Sequence, residues 1–189
     1  DGTAAIVREK QAEYPEALHL LERSGKQGLG TAYIAGFHWA LERDYAYIIE
    51  MDCDFSHPPI KLLELRAACH ERGADVAVGS RYVPGGAVKN WPLDRILMSR
   101  GASLYVRLIM SYYASAYVRF VTGLKVHDTT AGFKCYRRQV LETIELDKIR
   151  FKGYAFQIEM KYTAYCLGYK ITEVPITFED RVLGTSKMN

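Results

Sequence analysis

The chain has 189 residues, enough for one domain with a substantial hydrophobic core. Its net charge of +3 is too small to indicate a nucleic-acid-binding protein, and the 49% hydrophobic content is that of an ordinary globular protein. The four cysteines form no C-x-x-C pair, which argues against a zinc knuckle and favours reduced thiols in the cytosol. No signal peptide is recognisable, and no apolar run reaches the roughly 18 residues that span a bilayer.

The N-terminal part predicts a helix, a strand and a second helix. The first helix covers Thr3 to Glu13, the strand Ala17 to Leu21, and the second helix residues 31–43. The loop 22–31 is rich in glycine and cations, and it favours either a tight turn or an anion site at the following helix N-terminus. It does not have the spacing of a Walker A loop.

Residues 45–59 are the most informative stretch, because a short apolar run leads there into two acids. The run from Tyr45 to Met51 lacks glycine and proline, which predicts a buried central strand of a parallel sheet. Asp52 and Asp54 follow at its carboxyl end, where extended geometry directs both side chains to one side. Open α/β sheets bind ligands at this edge, and paired carboxylates suit a divalent cation shared with substrate phosphates.

A helix and another buried strand come next. Ser56 is predicted to cap a helix that runs from Pro58 to Arg72. The strand covers residues 75–80 and leads directly into Arg81. This alternation predicts a doubly wound α/β domain with a mostly parallel sheet and helices on both faces.

The region from Arg81 to Lys125 is basic and aromatic, with seven cations and Asp94 as its one acid. Two interpretations fit: a helix that lies on a membrane surface, or a core-facing helix with a solvated basic face. The region also contains a near repeat, since residues 98–107 resemble residues 110–119. An offset of twelve residues rotates a helix by about 120° beyond whole turns, so the copies cannot share one face of a straight helix. A single long helix, a kinked pair and a looped-out copy are the alternatives.

The last third predicts a polar turn, two helices and a strand. The turn covers residues 128–133, and the helices residues 138–144 and 151–167. Lys170 to Phe178 alternates and contains Pro175, which predicts an edge strand. The polar tail 180–188 is interpreted as either a mobile flap or a frayed terminus.

Several motifs occur together and in a fixed order along nearly the whole chain. They are Asp1-Gly-Thr, Arg23-x-x-Lys26-x-Gly-Leu-Gly, Met51-Asp-Cys-Asp-x-Ser-His-Pro-Pro, Gly79-Ser-Arg-Tyr, Asn90-Trp-Pro, Asp128-Thr-Thr-Ala-Gly-Phe, Lys152-Gly-Tyr-Ala-Phe-Gln-Ile-Glu and Asp180-Arg-x-Leu-Gly-x-Ser-Lys-Met. With these motifs the chain resembles the dolichyl/polyprenyl-phosphate mannose synthases, which are inverting family 2 glycosyltransferases of the GT-A fold. The resemblance implies a single catalytic domain over residues 1–189 that lacks the family's first strand. It also implies transfer of mannose from GDP-mannose to a polyprenyl phosphate.

The resemblance assigns site residues by their position in these motifs. The metal, Mg²⁺ or Mn²⁺, would be held by Asp52, Asp54 and Ser56. The donor would contact Asp1, Asp52, Cys53, Asp54, Gln157, Arg181 and Lys187, with Asp128 near the sugar. The acceptor phosphate would contact Arg81, Arg95 and Ser99, and Ser111 competes for the serine role because of the near repeat. Asp54 and Arg81 would be the catalytic residues, whereas Arg23 and Lys26 have either a nucleotide-side or a structural role.

The implied acceptor needs no strong general base, because a phosphate monoester has a second pKa of about 6 and is largely a dianion at neutral pH. His57 is therefore interpreted as a packing or capping residue. A lipid-borne acceptor implies a peripheral protein at the cytoplasmic membrane face, with residues 91–120 as the candidate contact. Two alternatives are glucose transfer from UDP-glucose to polyprenyl phosphate, and a non-catalytic module that binds a sugar nucleotide or docks on membranes.

Overall fold

The computed structural model describes residues 2–25, 27–89 and 101–179, with the backbone alone for residues 101–111. The helices in this part of the chain are α1 (Thr3–Glu13), α2 (Leu29–Leu41), α3 (Lys61–His70), α4 (Gly101–Thr122), α5 (Arg138–Thr143) and α6 (Ala155–Cys166), with a 3-10 turn at Leu146–Lys148. The strands are β1 (Tyr47–Glu50), β2 (Val76–Ser80), β3 (Ala87–Lys89), β4 (Lys134–Arg137), β5 (Ile171–Pro175) and β6 (Thr177–Glu179).

The main sheet has four strands in the order β1-β4-β2-β5, and β3 and β6 form a separate parallel pair. β4 runs antiparallel to both of its neighbours, whereas β2 and β5 are parallel. β1, β2 and β5 therefore point in one direction and their carboxyl ends lie at one edge. The prediction of a mostly parallel sheet is correct for β1, β2 and β5, which share one direction. The sequence did not indicate β4, an antiparallel strand in the middle of the sheet.

Helices cover both faces of this sheet, as predicted for a doubly wound domain. Val76 and Val78 of β2 pack on one face with residues of α2, α5 and α6. Ala77, the residue between them, packs on the other face with residues of α3. Because strand side chains alternate, β2 contributes to two hydrophobic cores at once and is buried along its whole length.

Two strand predictions are wrong. Residues 17–21 form no strand, and they follow a turn at 15–17 as an irregular, largely exposed segment. β1 is not central among the described residues, since it pairs only with β4 at an edge of the sheet. Its burial alternates along the strand, so the apolar run marks one buried face rather than two.

The near repeat is accommodated by a single long helix where the structure describes it. α4 is continuous over Gly101–Thr122 and contains the second copy together with part of the first. The beginning of the first copy, at Met98, lies outside the described residues. The edge-strand prediction for Lys170 to Phe178 is confirmed for its first part, because β5 lies at an edge of the main sheet that the structure describes and ends at Pro175. The second part is a separate strand, β6, which pairs with β3.

Candidate active site

The candidate site lies at the sheet edge where β1 and β2 end and β4 begins. Asp52 and Asp54 follow β1, and Arg81 follows β2. Because β4 is antiparallel, the loop 128–133 that enters it starts at this same edge. The tertiary structure thus brings together acids, a cation and a polar loop that are far apart in the sequence.

Asp52 is held by a residue of α2. The hydroxyl of Tyr33 donates a hydrogen bond of 2.8 Å to Oδ1 of Asp52. Burial raises the pKa of Tyr33, and the nearby carboxylates of Asp52 and Glu50 raise it further, so the phenol remains a donor. One oxygen of this carboxylate therefore has a fixed partner.

Asp54 is oriented by a tight local turn. Its Oδ1 accepts hydrogen bonds from the backbone N–H of Ser56 at 3.1 Å and from the Ser56 hydroxyl at 2.5 Å. The intervening Phe55 has a φ of 62° and is 89% exposed. A bulky residue with this backbone conformation is strained, and such strain occurs often at ligand sites.

The prediction that Ser56 caps the next helix is wrong. α3 begins only at Lys61, with Ile60 at its N-cap and no side-chain cap. The hydroxyl of Ser56 is buried and orients Asp54 instead. Its predicted contact with a metal ion stays a prediction.

Arg81 forms a two-point ion pair with Asp128. Nε donates to Oδ2 at 2.7 Å and Nη2 donates to Oδ1 at 2.8 Å, while the Arg81 backbone N–H donates to Oδ2 at 3.1 Å. Asp128 is fully buried, and burial alone would raise its pKa. The hydrogen bonds and charge of Arg81 outweigh this effect and hold the pKa of Asp128 below its usual value. The Arg81 side chain thus lies at the edge of the site, and Asp128 fixes its orientation.

The loop that carries Asp128 is braced by two charged side chains. Glu173 of β5 accepts hydrogen bonds from the backbone N–H groups of His127 at 2.8 Å and Asp128 at 2.9 Å. The buried ammonium of Lys161 donates to the carbonyl oxygens of Thr129 at 2.8 Å and Ala131 at 2.7 Å. Burial lowers the pKa of Lys161 well below its usual value. These bonds fix the loop backbone and with it the carboxylate that holds Arg81.

A buried ion pair lies beneath the acids. Lys134 of β4 is 2.6 Å from Oε1 of Glu50, the residue opposite it on β1, and both side chains are almost completely inaccessible. Lys134 also donates a hydrogen bond to Oε1 of Gln157. Burial raises the pKa of Glu50 and lowers that of Lys134. The charge of Lys134 counteracts the first shift, and the charge of Glu50 counteracts the second. Gln157, predicted to contact the donor, is 2% exposed and has Lys134 as its partner.

His57 is buried between aromatic rings. Its ring centroid lies 5.0 Å from that of Phe133 and 5.6 Å from that of Phe178. Burial lowers the pKa of His57, against the opposing effect of Asp52 and Asp54. A neutral ring packed on two phenylalanines agrees with the predicted packing role.

The glycine-rich loop before α2 packs against the turn before α6. The backbone N–H of Gly30 donates to the carbonyl of Lys152 at 2.8 Å, and a Cβ at Gly30 would lie 2.8 Å from the Phe151 carbonyl oxygen. Arg23 donates to the hydroxyl of Thr31 at 3.0 Å. These contacts favour the tight-turn interpretation of the loop and a structural role for Arg23.

Some predicted site residues lie outside the described part of the chain: Asp1, Lys26, Arg95, Ser99, Arg181 and Lys187, together with the side chain of Ser111. Cys53, the predicted donor contact between the two acids, is exposed. The tail that carries Arg181 and Lys187 follows β6, whose Glu179 backbone N–H donates to the carbonyl of Ser56 at 3.2 Å.

Sequence reasoning missed the residues that hydrogen-bond to the predicted site residues or brace the elements that carry them: Tyr33, Glu50, Lys134, Lys161 and Glu173. Two of them left a signal. Glu50 lies within a short apolar run that predicts a buried strand, and Lys134 lies between the apolar residues Phe133 and Cys135. A charged side chain that is buried at such a place requires a partner of opposite charge. Tyr33 left no such signal, because an aromatic residue on a helix is normally part of the core.

No group of three or more His, Cys, Asp and Glu side chains is arranged to hold a metal ion among the described residues. Asp52 and Asp54 nevertheless fit a cation whose remaining ligands come from a substrate diphosphate, because Mg²⁺ commonly uses one or two carboxylates plus phosphates. Within residues 2–25, 27–89 and 101–179, no helix has both the length and the apolar composition that crossing a membrane requires.

Comparison with known proteins identifies relatives over the whole chain. The sequence model of glycosyl transferase family 2 matches residues 1–145. Polyprenol monophosphomannose synthase of Mycolicibacterium smegmatis is 47% identical over 189 residues, which is 100% of this chain and 66% of that protein. Undecaprenyl-phosphate mannosyltransferase of Micrococcus luteus is 46% identical over all of this chain and 72% of that protein. The chain thus spans about two thirds of the length of these relatives.

Solved structures show the same fold. Glucosyl-3-phosphoglycerate synthase of Mycobacterium tuberculosis in complex with phosphoglyceric acid superposes with a TM-score of 0.55 at 15% identity, over 98% of this chain and 58% of that chain. Its complex with Mn²⁺, UDP and glucosyl-3-phosphoglycerate gives a TM-score of 0.53 at 16% identity, with the same coverage. The architecture is the GT-A fold, as predicted.

Proposed function

The chain belongs to glycosyl transferase family 2, and we propose that it transfers mannose from GDP-mannose to a polyprenyl phosphate with inversion at the anomeric carbon. The proposal treats residues 1–189 as one glycosyltransferase catalytic domain. It is supported by 46–47% identity over the whole chain to proteins named polyprenol monophosphomannose synthase and undecaprenyl-phosphate mannosyltransferase.

The observation that carries the proposal is the pairing of opposite charges at one sheet edge. Asp52 and Asp54 follow β1, while Arg81, oriented by the buried Asp128, follows β2. An acidic side suits a metal-bound diphosphate, and a fixed guanidinium suits a phosphate monoester. A donor and an acceptor that each carry phosphate need this combination.

Asp52 and Asp54 would hold Mg²⁺ or Mn²⁺ on the diphosphate side. When bound, the metal stabilises the negative charge that develops on the departing GDP. Asp1, Cys53, Gln157, Arg181 and Lys187 remain the proposed donor contacts. Glu179, the residue that precedes this tail, donates a backbone hydrogen bond to the carbonyl of Ser56, and closure of Arg181 and Lys187 over the donor diphosphate would exclude water.

Arg81, Arg95 and Ser99 would position the acceptor phosphate. One of its oxygens forms a bond to the anomeric carbon, and the bond from that carbon to the β-phosphate oxygen breaks with its electron pair leaving on GDP. A single displacement of this kind inverts the anomeric carbon. The acceptor is already a dianion at neutral pH, so none of the described residues has to remove a proton.

The acceptor's lipid implies a peripheral protein at the cytoplasmic membrane face, and α4 supplies a surface for this contact. Tyr113, Tyr117, Phe120 and Val121 recur at helical spacing and are 60–89% exposed. Ser115, on the opposite face of the helix, is buried and accepts a hydrogen bond from Thr129. We name these four exposed residues the α4 stripe; with Arg119 beside them, they suit an anionic lipid surface.

Product analysis tests the function. The protein is incubated with polyprenyl phosphate, Mn²⁺ and either GDP-mannose or UDP-glucose, and the lipid product is identified by mass spectrometry. We expect mannosyl lipid from wild type and loss of at least a hundredfold in rate for Asp54→Ala. Asp44→Ala, an exposed acid at the opposite end of β1, is the matched control and should keep full activity.

Two outcomes would contradict the proposal. Glucosyl lipid from UDP-glucose without mannosyl lipid from GDP-mannose would identify the other transferase. GDP-mannose binding that is indifferent to Mn²⁺ and to Asp54→Ala, with no lipid product, would identify a non-catalytic module.

A further inference from the structure

Tyr33, on α2, contacts the candidate metal site. Its hydroxyl donates to Oδ1 of Asp52 at 2.8 Å. Oδ2 of Asp52 accepts no hydrogen bond from any residue that the structure describes. The phenol therefore leaves one oxygen of this carboxylate for another ligand.

The position of the Tyr33 ring is fixed by aromatic packing. Its centroid lies 5.9 Å from that of Phe156 with an interplanar angle of 2°, and 6.3 Å from that of Phe37 at 28°. Both partners are buried core residues. Because the ring is held between them, the hydroxyl has little freedom to leave Asp52.

The helix that carries Tyr33 is itself anchored beside the same core. Gly30, three residues earlier on α2, lies so close to the turn before α6 and to a ring of α6 that an added Cβ would be 2.8 Å from both the Phe151 carbonyl oxygen and the Phe156 ring. Its N–H donates to the Lys152 carbonyl at 2.8 Å. Tyr33 is thus carried by a helix that is packed against α6 and the turn before it.

A carboxylate at this place needs a hydrogen-bond donor. Asp52 lies two residues after the buried Glu50, just past the end of β1. Lys134 compensates Glu50. Of the described residues, Tyr33 supplies the side-chain hydrogen bond to Asp52.

We propose that Tyr33 is the positioning residue of the metal site, whose hydroxyl holds Asp52 so that its other carboxylate oxygen faces a divalent cation. This inference rests on the proposed function, because it needs Asp52 to be a metal ligand. Partners of this kind typically change metal affinity by about ten- to a hundredfold when they are removed.

The test measures Mn²⁺ affinity directly, by the electron paramagnetic resonance signal of free Mn²⁺ in the presence of GDP. Tyr33→Phe deletes the hydroxyl and keeps the ring between Phe37 and Phe156. We expect it to weaken Mn²⁺ binding about tenfold while the unfolding temperature stays close to that of wild type.

Tyr136→Phe is the matched control. Tyr136 is a buried tyrosine whose ring also contacts Phe37, but its hydroxyl has no hydrogen-bond partner among the described residues. Its Mn²⁺ affinity should stay within twofold of wild type. An equal loss in both variants would mean that the effect comes from the core and would overturn the proposal.

Asp52→Asn separates the two levels of the argument. If it abolishes Mn²⁺ binding while Tyr33→Phe binds Mn²⁺ as wild type does, the positioning role is wrong and the proposed function stands. If Asp52→Asn still binds Mn²⁺ normally, the metal assignment in the proposed function fails, and Tyr33 has no metal ligand to orient.

Discussion

Arg81 and Asp128, 47 positions apart in the sequence, meet through two parallel hydrogen bonds of 2.7 and 2.8 Å. Nη2 of Arg81 also donates to the Thr130 hydroxyl at 3.1 Å, whereas Nη1 donates to none of the described residues. The pair therefore uses one edge of the guanidinium and leaves the Nη1 edge for a ligand. Since a two-point pair fixes both position and plane, Asp128 fixes the orientation of the Arg81 guanidinium.

Neutralising Asp128 should destabilise the protein. Asp128→Asn keeps the shape of the side chain but leaves the charge of Arg81, which is 14% exposed, without its buried partner. Removing one member of a buried pair typically costs about 3–5 kcal/mol, so we expect a loss of about 3 kcal/mol in the free energy of unfolding by urea. The exposed control Asp44→Asn should change it by less than about 0.5 kcal/mol. A similarly small change for Asp128→Asn would show that the pair does not hold the loop.

The ion pair between Arg81 and Asp128 should make the free energy of unfolding depend on pH in the acid range. Arg81 holds the pKa of Asp128 below its unfolded value, so the stabilisation is complete above that unfolded value and is lost as the pH falls through the folded pKa. The unfolded pKa of aspartate is about 3.9, which places the loss below about pH 4. Wild type should therefore lose more stability than Asp128→Asn between about pH 4 and pH 2, measured by urea denaturation at each pH. Parallel curves for the two proteins would contradict this.

The ion pair beneath the acids should respond differently to single and double substitution. Lys134→Met leaves Glu50 buried without its cation, and we expect a loss of about 3 kcal/mol in the free energy of unfolding. Lys134→Met combined with Glu50→Leu removes both charges and should recover most of this loss, because buried ion pairs are often replaceable by apolar residues. If the double variant is less stable than Lys134→Met alone, then the ion pair stabilises the fold by more than neutralising the charge of Glu50.

Two glycines of α2 should respond in opposite directions to alanine. Gly30→Ala places a Cβ 2.8 Å from the Phe151 carbonyl oxygen and the Phe156 ring, and we expect it to destabilise the fold by about 1–3 kcal/mol. Gly36→Ala meets no atom within 4 Å and should stabilise it by about 0.5–1 kcal/mol through helix propensity. Thermal and urea unfolding measure both. Equal effects would mean that α2 is not anchored at Gly30.

The α4 stripe should govern membrane binding. Tyr117→Ser combined with Phe120→Ser removes two residues that are 69% and 89% exposed, so the fold should be unaffected. We expect flotation with anionic liposomes to fall several-fold, because interfacial binding depends on buried apolar area. Ile6→Ser combined with Tyr14→Ser, which changes exposed apolar residues near the N-terminus, is the control.

Charge should contribute to the same contact. Neutralising Arg100, Arg107 and Arg119 together should reduce flotation and activity on lipid-linked acceptor. If none of these changes affects either measurement, the membrane hypothesis for α4 is wrong and the stripe has another partner.

Local patterns predicted most single elements well. α1 has the predicted limits, and β2 and α6 lie within a few residues of theirs, because helix and strand periodicity depends on neighbours in the chain. The strand predicted for residues 17–21 is absent, because a short apolar run forms a strand only when another strand pairs with it, and local periodicity does not show such pairing.

The sequence by itself determined the two acids after a strand, the glycine and basic motifs, and through them the family and the GT-A fold. Only the tertiary structure decided that Tyr33 holds Asp52, that Asp128 holds Arg81 and that Lys134 compensates Glu50. The physical reason lies in the tertiary structure: β4 lies antiparallel between β1 and β2, and α2 packs on α6, and these arrangements bring the partners together. The two side chains of each pair are 19, 47 and 84 positions apart in the sequence, and no local periodicity records which distant residues meet.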